Sequence, residues 1–130
     1  MTVTDGRVAG FVAERCGIQT FYPPFTCMGI ERDGRIVAGV VFNCYQFGRD
    51  IAVTVAGDPG AFTPGFVRDV GAYVFGKLGC SRISITTEQA SVVRLAVRMG
   101  ASVEGIKRDL FGDGRPGTLL GLRKQDWNYT

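Results

Sequence analysis

Residues 92–109 read Val92-Val93-Arg94-Leu95-Ala96-Val97-Arg98-Met99-Gly100-Ala101-Ser102-Val103-Glu104-Gly105-Ile106-Lys107-Arg108-Asp109. Val92, Leu95, Ala96 and Met99 recur at helical spacing. The stretch from about Gln89 to Met99 is therefore expected as a helix with one apolar face, ended by Gly100. Ala101–Arg108 is then extended. Thr118–Lys124 forms a second extended stretch across Asp109–Gly117, a Gly-rich segment that reads as a turn or flexible connection.

Working upstream, Arg82-Ile83-Ser84-Ile85-Thr86 alternates as a strand. A helical stripe of Phe66, Val67, Val70, Val74, Phe75 and Leu78 precedes it, opening at Thr63-Pro64 with an N-cap followed by proline and closing at Gly79. The strand before that helix is Asp50–Ala56, stopped by Gly57-Asp58-Pro59-Gly60. A strand, helix, strand unit requires parallel pairing. Farther upstream, Thr26–Glu31 and Gly34–Asn43 meet at Arg32-Asp33-Gly34, where Asp-Gly suits a tight hairpin, and Gln46–Arg49 closes a second one. Ile36–Phe42 is almost continuously apolar, which places it in mid-sheet with both faces covered. Val8, Phe11, Val12 and Cys16 give a first helix ending at Gly17, and Tyr22-Pro23-Pro24 breaks any continuation. The expected architecture is one α/β (α+β) domain over residues 1–130. Its sheet is mixed and mostly antiparallel, of about six strands, with helices on both faces.

The chain has 130 residues, of which 45% are hydrophobic, enough for one core. Its longest apolar runs fall well short of the roughly 20 residues that span a bilayer. Its start shows no secretory leader, so the cytoplasm is the expected compartment. Cys16, Cys27, Cys44 and Cys80 are widely spaced and read as reduced core thiols. With no histidine in the sequence, Ser-His-Asp, Cys-His and His-metal mechanisms are excluded, and no metal site is expected. The net charge of +3 is scattered, so no nucleic-acid surface is expected.

Gly100, Glu104-Gly105, Arg108 and Asp126-Trp127, in this order of elements, resemble the C-terminal half of the GNAT (acetyl-CoA-dependent N-acetyltransferase) superfamily. The likeness is to its ribosomal-protein N-terminal acetyltransferases and their short tailed-phage homologues. It covers roughly residues 34–127 and rests on order and spacing together, with Ala101 in place of the family's phenylalanine. The resemblance implies that acetyl-CoA lies where the Asp50–Ala56 and Arg82–Thr86 strands splay. Backbone groups of Val53 and Val55 would hold pantetheine, and Gln89 stands where the family often has asparagine. The pyrophosphate would face Thr63, Gly65, Phe66 and Val67. The family's Gln/Arg-x-x-Gly-x-Gly/Ala loop fits imperfectly: centring it on Gly65 puts Phe62 and Val67 at altered positions, and centring it on Gly60 loses other elements.

Ala96 stands where many members carry the tyrosine that protonates the leaving thiolate, which leaves Ser91 and Tyr45 as hydroxyl sources. Asp50 is the candidate general base; its other reading is a solvated hairpin aspartate beside Arg49. The implied activity is acetyl transfer from acetyl-CoA to an unidentified amine by direct attack. The alternative, motivated by Phe62, Val67 and Ala96, is a GNAT-fold structural or interaction protein without the chemistry, such as a phage virion component. A homodimer is compatible with the first reading and a larger protein assembly with the second. Three smaller expectations complete the picture. Glu104 and Arg108 share a strand face as a surface ion pair or a substrate contact. Phe21–Phe25 packs in the core or lines an acceptor pocket. Trp127 anchors the last strand to the sheet.

Overall fold

In the computed structural model, which describes residues 1–129, the chain runs β1 (Thr2–Val3), α1 (Gly6–Cys16), β2 (Phe25–Arg32), β3 (Arg35–Gln46), β4 (Asp50–Gly57) and α2 (Pro64–Gly71). It continues through a π-helical turn (Ala72–Lys77), β5 (Arg82–Thr87), α3 (Ala90–Met99), β6 (Ser102–Lys107), β7 (Gly117–Arg123) and a 3-10 turn (Lys124–Asp126). Asp33 and Gly34 take φ of 52° and 79°, the positive values that a two-residue hairpin between β2 and β3 demands. Gly100 at φ 114° ends α3.

One seven-stranded sheet has the order β1-β2-β3-β4-β5-β7-β6, and among the described residues only β4 and β5 pair in parallel. The architecture is the mixed, mostly antiparallel α/β arrangement that the sequence predicts. The additional strand is β1, whose two residues pair with Ile30 and Gly29 and are too few to show an alternating pattern.

α2, the π-helical turn that continues it and α3 cover one face, burying Phe66, Val74, Val92 and Ala96 against Val53, Ile83, Ile85, Leu120 and Leu122. α1 covers β2–β4 on the other, burying Val8, Val12 and Cys16 with Val41 and Ala56. β3 sends Val40 and Phe42 to the first layer and Val41 to the second, so its continuous apolar run is buried on both sides. The cross-strand pair Gly29 and Gly39 lets α1 approach closely: a Cβ on either would lie 2.7–2.8 Å from a methyl group of Val8 or Val12.

Several expectations are corrected. Cys44 is an exposed thiol, because it sits at φ 53° in the β-bulge at the end of β3; Cys16, Cys27 and Cys80 are buried. Glu104 pairs with Arg82 at 2.7 Å rather than with Arg108, because a bulge between Val103 and Gly105 turns it over Gly121. The Arg82 hydrogen bond lowers the pKa of Glu104. Trp127 packs on α2, where its ring lies over Gly71 and 5.4 Å from Phe75, so it ties the chain's end to the helical layer. The Asp109–Gly117 segment is pinned by Phe111, 5% exposed in the α1-side core, and by a hydrogen bond from Phe111 N–H to the Arg115 carbonyl. Phe21 and Phe25 pack against that same core, while Tyr22 is exposed. No helix among the described residues is long and apolar enough to cross a membrane.

Candidate active site

The parallel ladder between β4 and β5 stops early. It joins Ala52 to Ser84, Val53 to Ile85 and Thr54 to Thr86, while β4 continues through Val55 and Ala56 to Gly57. β5 keeps its partner on the other side, pairing with β7 along its whole length from Arg82 to Thr87. The sheet therefore parts between β4 and β5 at their C-terminal ends, just before α2 and α3.

One side chain bridges the parting. Gln89 Nε2–H donates to the Gly57 carbonyl at 3.1 Å, and its Oε1 accepts from the Gly57 N–H at 3.1 Å. This is the two-bond pattern a neighbouring strand would supply, so a carboxamide occupies the place of a peptide group at this edge. Because a strand residue directs its N–H and C=O to one side, Val55 and Gly57 face the same way: the Val55 N–H closes the ladder and its carbonyl turns toward the opening with the backbone groups of Gly57. Gln89 is itself placed by its N–H, which donates to Oγ1 of the fully buried Thr87 at 3.1 Å.

A polar basin of about 170 Å³ opens on the α2/α3 side, lined by Asp58, Gly60, Phe62, Ser91, Arg94 and Arg98 among others. Arg94 and Arg98 are one helical turn apart on α3, and neither has a carboxylate partner among the described residues. Asp58 is already paired with Arg15 at 2.8 Å and Arg35 at 3.5 Å. The backbone N–H groups of Gly60, Phe62 and Thr63 donate to no other described residue. The basin thus combines two free guanidinium groups, a serine hydroxyl and unspent loop N–H groups, a donor set suited to phosphate.

On the α1 side lies a hollow of about 290 Å³ lined by Arg15, Cys16, Val55, Ala56, Glu88 and Gln89. Burial, and then the charge of Glu88, push the Cys16 thiol up from 9.0 to about 11. Between the helices and the sheet, a wholly apolar cavity of about 50 Å³ includes Val53, Val55, Phe62, Phe66, Val67 and Ala96 in its lining.

Of the residues singled out in the sequence, Val55, Gln89 and Ser91 come together at the parting, with Val53 inside the ladder beside it. Thr63 is the N-cap of α2: its Oγ1 accepts from Phe66 N–H at 3.2 Å and its carbonyl from Val67 N–H at 3.0 Å. Pro64 has no N–H, so Gly65 alone in the first turn keeps a free one. The side chains of Phe66 and Val67 point into the core. Asp50 and Tyr45 lie at the other end of β4, roughly 23 Å of strand away. There Asp50 accepts from Ser84 Oγ at 2.9 Å and sits 3.4 Å from Arg82 Nε, while Tyr45 Oη–H donates to the Leu78 carbonyl at 2.8 Å. Glu88, Arg94 and Arg98 escaped the sequence reading. The four-residue spacing of the two arginines was visible, but not the loop they face.

No family model and no curated protein matches the sequence. Solved structures do match. A spermidine N-acetyltransferase from Vibrio cholerae in complex with CoA and spermine superimposes with a TM-score of 0.63 at 14% identity, over 78% of this chain and 67% of that one. A chimera of the Vibrio cholerae enzyme with hSSAT gives a TM-score of 0.66 at 12% identity, over 96% of each chain. The chain has the GNAT fold. In this GNAT fold the strands part along the β4 edge from Val55 to Gly57; the α1-side hollow reaches that edge at Val55 and Ala56, and the arginine-bearing basin begins just past it at Asp58.

Proposed function

We propose that the protein transfers an acetyl group from acetyl-CoA to an amine. The observation that carries this reading is the β4 edge left without a neighbouring strand, where the Gln89 carboxamide makes the pair of hydrogen bonds that an amide makes there. Pantetheine is a chain of amides and fits such an edge. The phosphates would lie in the basin on Arg94, Arg98, Ser91 and the loop N–H groups of Gly60, Phe62 and Thr63, with Gly65 adding the free donor of α2. The donor and the amine would then meet across β4, one from each face of the sheet.

The chemistry is direct attack. The neutral amine nitrogen adds to the thioester carbonyl carbon, the C–N bond forms, the C–S bond breaks, and the proton shed by the amine ends on the departing sulfur. The protein contributes by holding the two reactants together and by aiming strand N–H groups at the carbonyl oxygen. Ala96, buried in the core, presents no hydroxyl, so the proton reaches sulfur through water or Ser91.

One observation favours a second reading, a GNAT-fold interaction protein such as a phage virion part. The first turn of α2 keeps only one free N–H, because Pro64 has none and Thr63 takes those of Phe66 and Val67. Isothermal titration of the folded protein with acetyl-CoA separates the two. The first reading expects one site per chain, and release of the CoA thiol once an amine is added. Absence of heat from protein shown to be folded by circular dichroism would sink it.

A further inference from the structure

The α1-side hollow contains one carboxylate among its lining residues, Glu88, placed directly after β5 and before Gln89. Glu88 is already occupied. Arg115 reaches it from the β6–β7 loop, Nε–H donating to Oε2 at 3.1 Å and Nη2–H to Oε1. The same guanidinium lies over Gly17 at the end of α1, so the α1–β2 and β6–β7 loops meet across the pair. The cation in the hollow's own lining, Arg15, is held by Asp58 at 2.8 Å and stacks over Phe11 at 4.5 Å.

The pair is positioned to come apart. The Arg115 side chain is 44% exposed and that of Glu88 25%, a setting in which an ion pair contributes only about 0–1 kcal/mol. Arg115 can turn into water with little loss. Its loop has positive φ at Asp109, Gly112 and Gly114, and Phe111 anchors the backbone while the arginine projects from the rim. The Glu88 backbone stays in place beside the β4 edge, because Gln89 is fixed to Gly57 and Thr87. An incoming ammonium would thus exchange one cation for another at a carboxylate beside the β4 edge. A neutral or anionic ligand would leave Arg115 paired with Glu88.

We propose that Glu88 is the binding residue for the acceptor's ammonium group and that Arg115 is its stand-in, making the hollow selective for cationic amines. This rests on the acetyl-transfer reading for the identity of the acceptor, but not for the exchange itself. The test titrates spermine into wild type, Glu88→Gln, Arg115→Ala and Arg115→Gln, each with and without saturating CoA, and titrates CoA separately. Because the protein carries a net charge of +3, a polyamine has little general attraction to it.

Removing Arg115 by either substitution is expected to tighten spermine binding about three- to tenfold, by taking away the competing cation. Glu88→Gln is expected to weaken it more than tenfold, and Glu88→Gln with Arg115→Ala to match Glu88→Gln alone. Wild-type affinity in Glu88→Gln, weaker binding in both Arg115 variants, or no spermine binding in any protein would overturn the proposal. Failure of CoA to bind, with the spermine series intact, would instead remove the acetyl-transfer reading and leave the exchange standing.

Discussion

The Gln89 side chain is hydrogen-bonded to both backbone groups of Gly57, each at 3.1 Å, across a gap where β4 has lost its neighbour. Gly57 is buried, so without Gln89 its N–H and C=O would be left unpaired until water or a ligand reached them. Gln89→Ala is therefore expected to lower unfolding stability by about 1 to 3 kcal/mol. Gln89→Glu should lose part of that, since a carboxylate accepts from the N–H but cannot donate to the carbonyl. Urea denaturation of the three proteins checks the order. Equal midpoints would show that the pair contributes nothing to stability.

A second relationship sets the position of the helical layer. A Cβ on Gly71 would fall 2.2 Å from Cζ2 of Trp127, so Gly71→Ala must push the ring away. Overpacking of this kind costs about 1–3 kcal/mol. In a Trp127→Ala background the obstacle is gone, and the same substitution in the helix should instead stabilise by up to about 1 kcal/mol. A double-mutant cycle measured by thermal unfolding should show that reversal of sign.

These two contacts show which parts of the molecule the sequence made legible. Asp33-Gly34, Thr63-Pro64 and Gly100 act within a few residues of themselves, and the hairpin, helix start and helix end they predict all appear. The apolar run Ile36–Phe42 is equally direct, because burial on both faces leaves no room for alternation. The site was less readable. Thr63 looked like part of a phosphate cradle, but its hydroxyl is spent on the Phe66 N–H, and a tripeptide does not reveal where a side-chain oxygen turns. Arg94 and Arg98 share a helix face in any reading, yet which loop that face meets depends on how α3 lies on the sheet. Asp50 stands at the start of β4 and α2 follows its end, so its distance from the parting could have been judged from strand direction alone.

The thiols offer a check on the α1-side core. Burial raises Cys16 from 9.0 to about 11, with the charge of Glu88 adding to the effect. Because the folded pKa lies above the unfolded one, the contribution of Cys16 to stability is complete below pH 9 and is lost as pH rises toward 11. Wild type should accordingly lose more stability between pH 8 and pH 10 than Cys16→Ala does, a difference that cancels the other groups titrating in that window. In native protein at pH 8, a thiol reagent should modify the exposed Cys44 quickly and the buried Cys16, Cys27 and Cys80 only on unfolding. Parallel pH profiles for the two proteins would contradict the placement of Cys16.

The basin should be recognisable by which part of the donor it holds. Arg94 and Arg98 are exposed, unpaired among the described residues and separated from the β4 edge, so their contribution belongs to the phosphates and not to the pantetheine arm. Replacing either with alanine is expected to weaken CoA binding about tenfold, or ~1.4 kcal/mol, toward the low end for a hydrogen bond to a charged group because water screens the site. Pantetheine, which lacks the phosphates, should bind the variants as it binds wild type. Raising the salt concentration should shrink the CoA difference, since exposed charges are screened beyond a few ångströms in strong salt. If Arg94→Ala with Arg98→Ala bound CoA normally while losing pantetheine, the two arginines would be acting on the edge, and the phosphates would have to lie elsewhere along the β4–α2 loop.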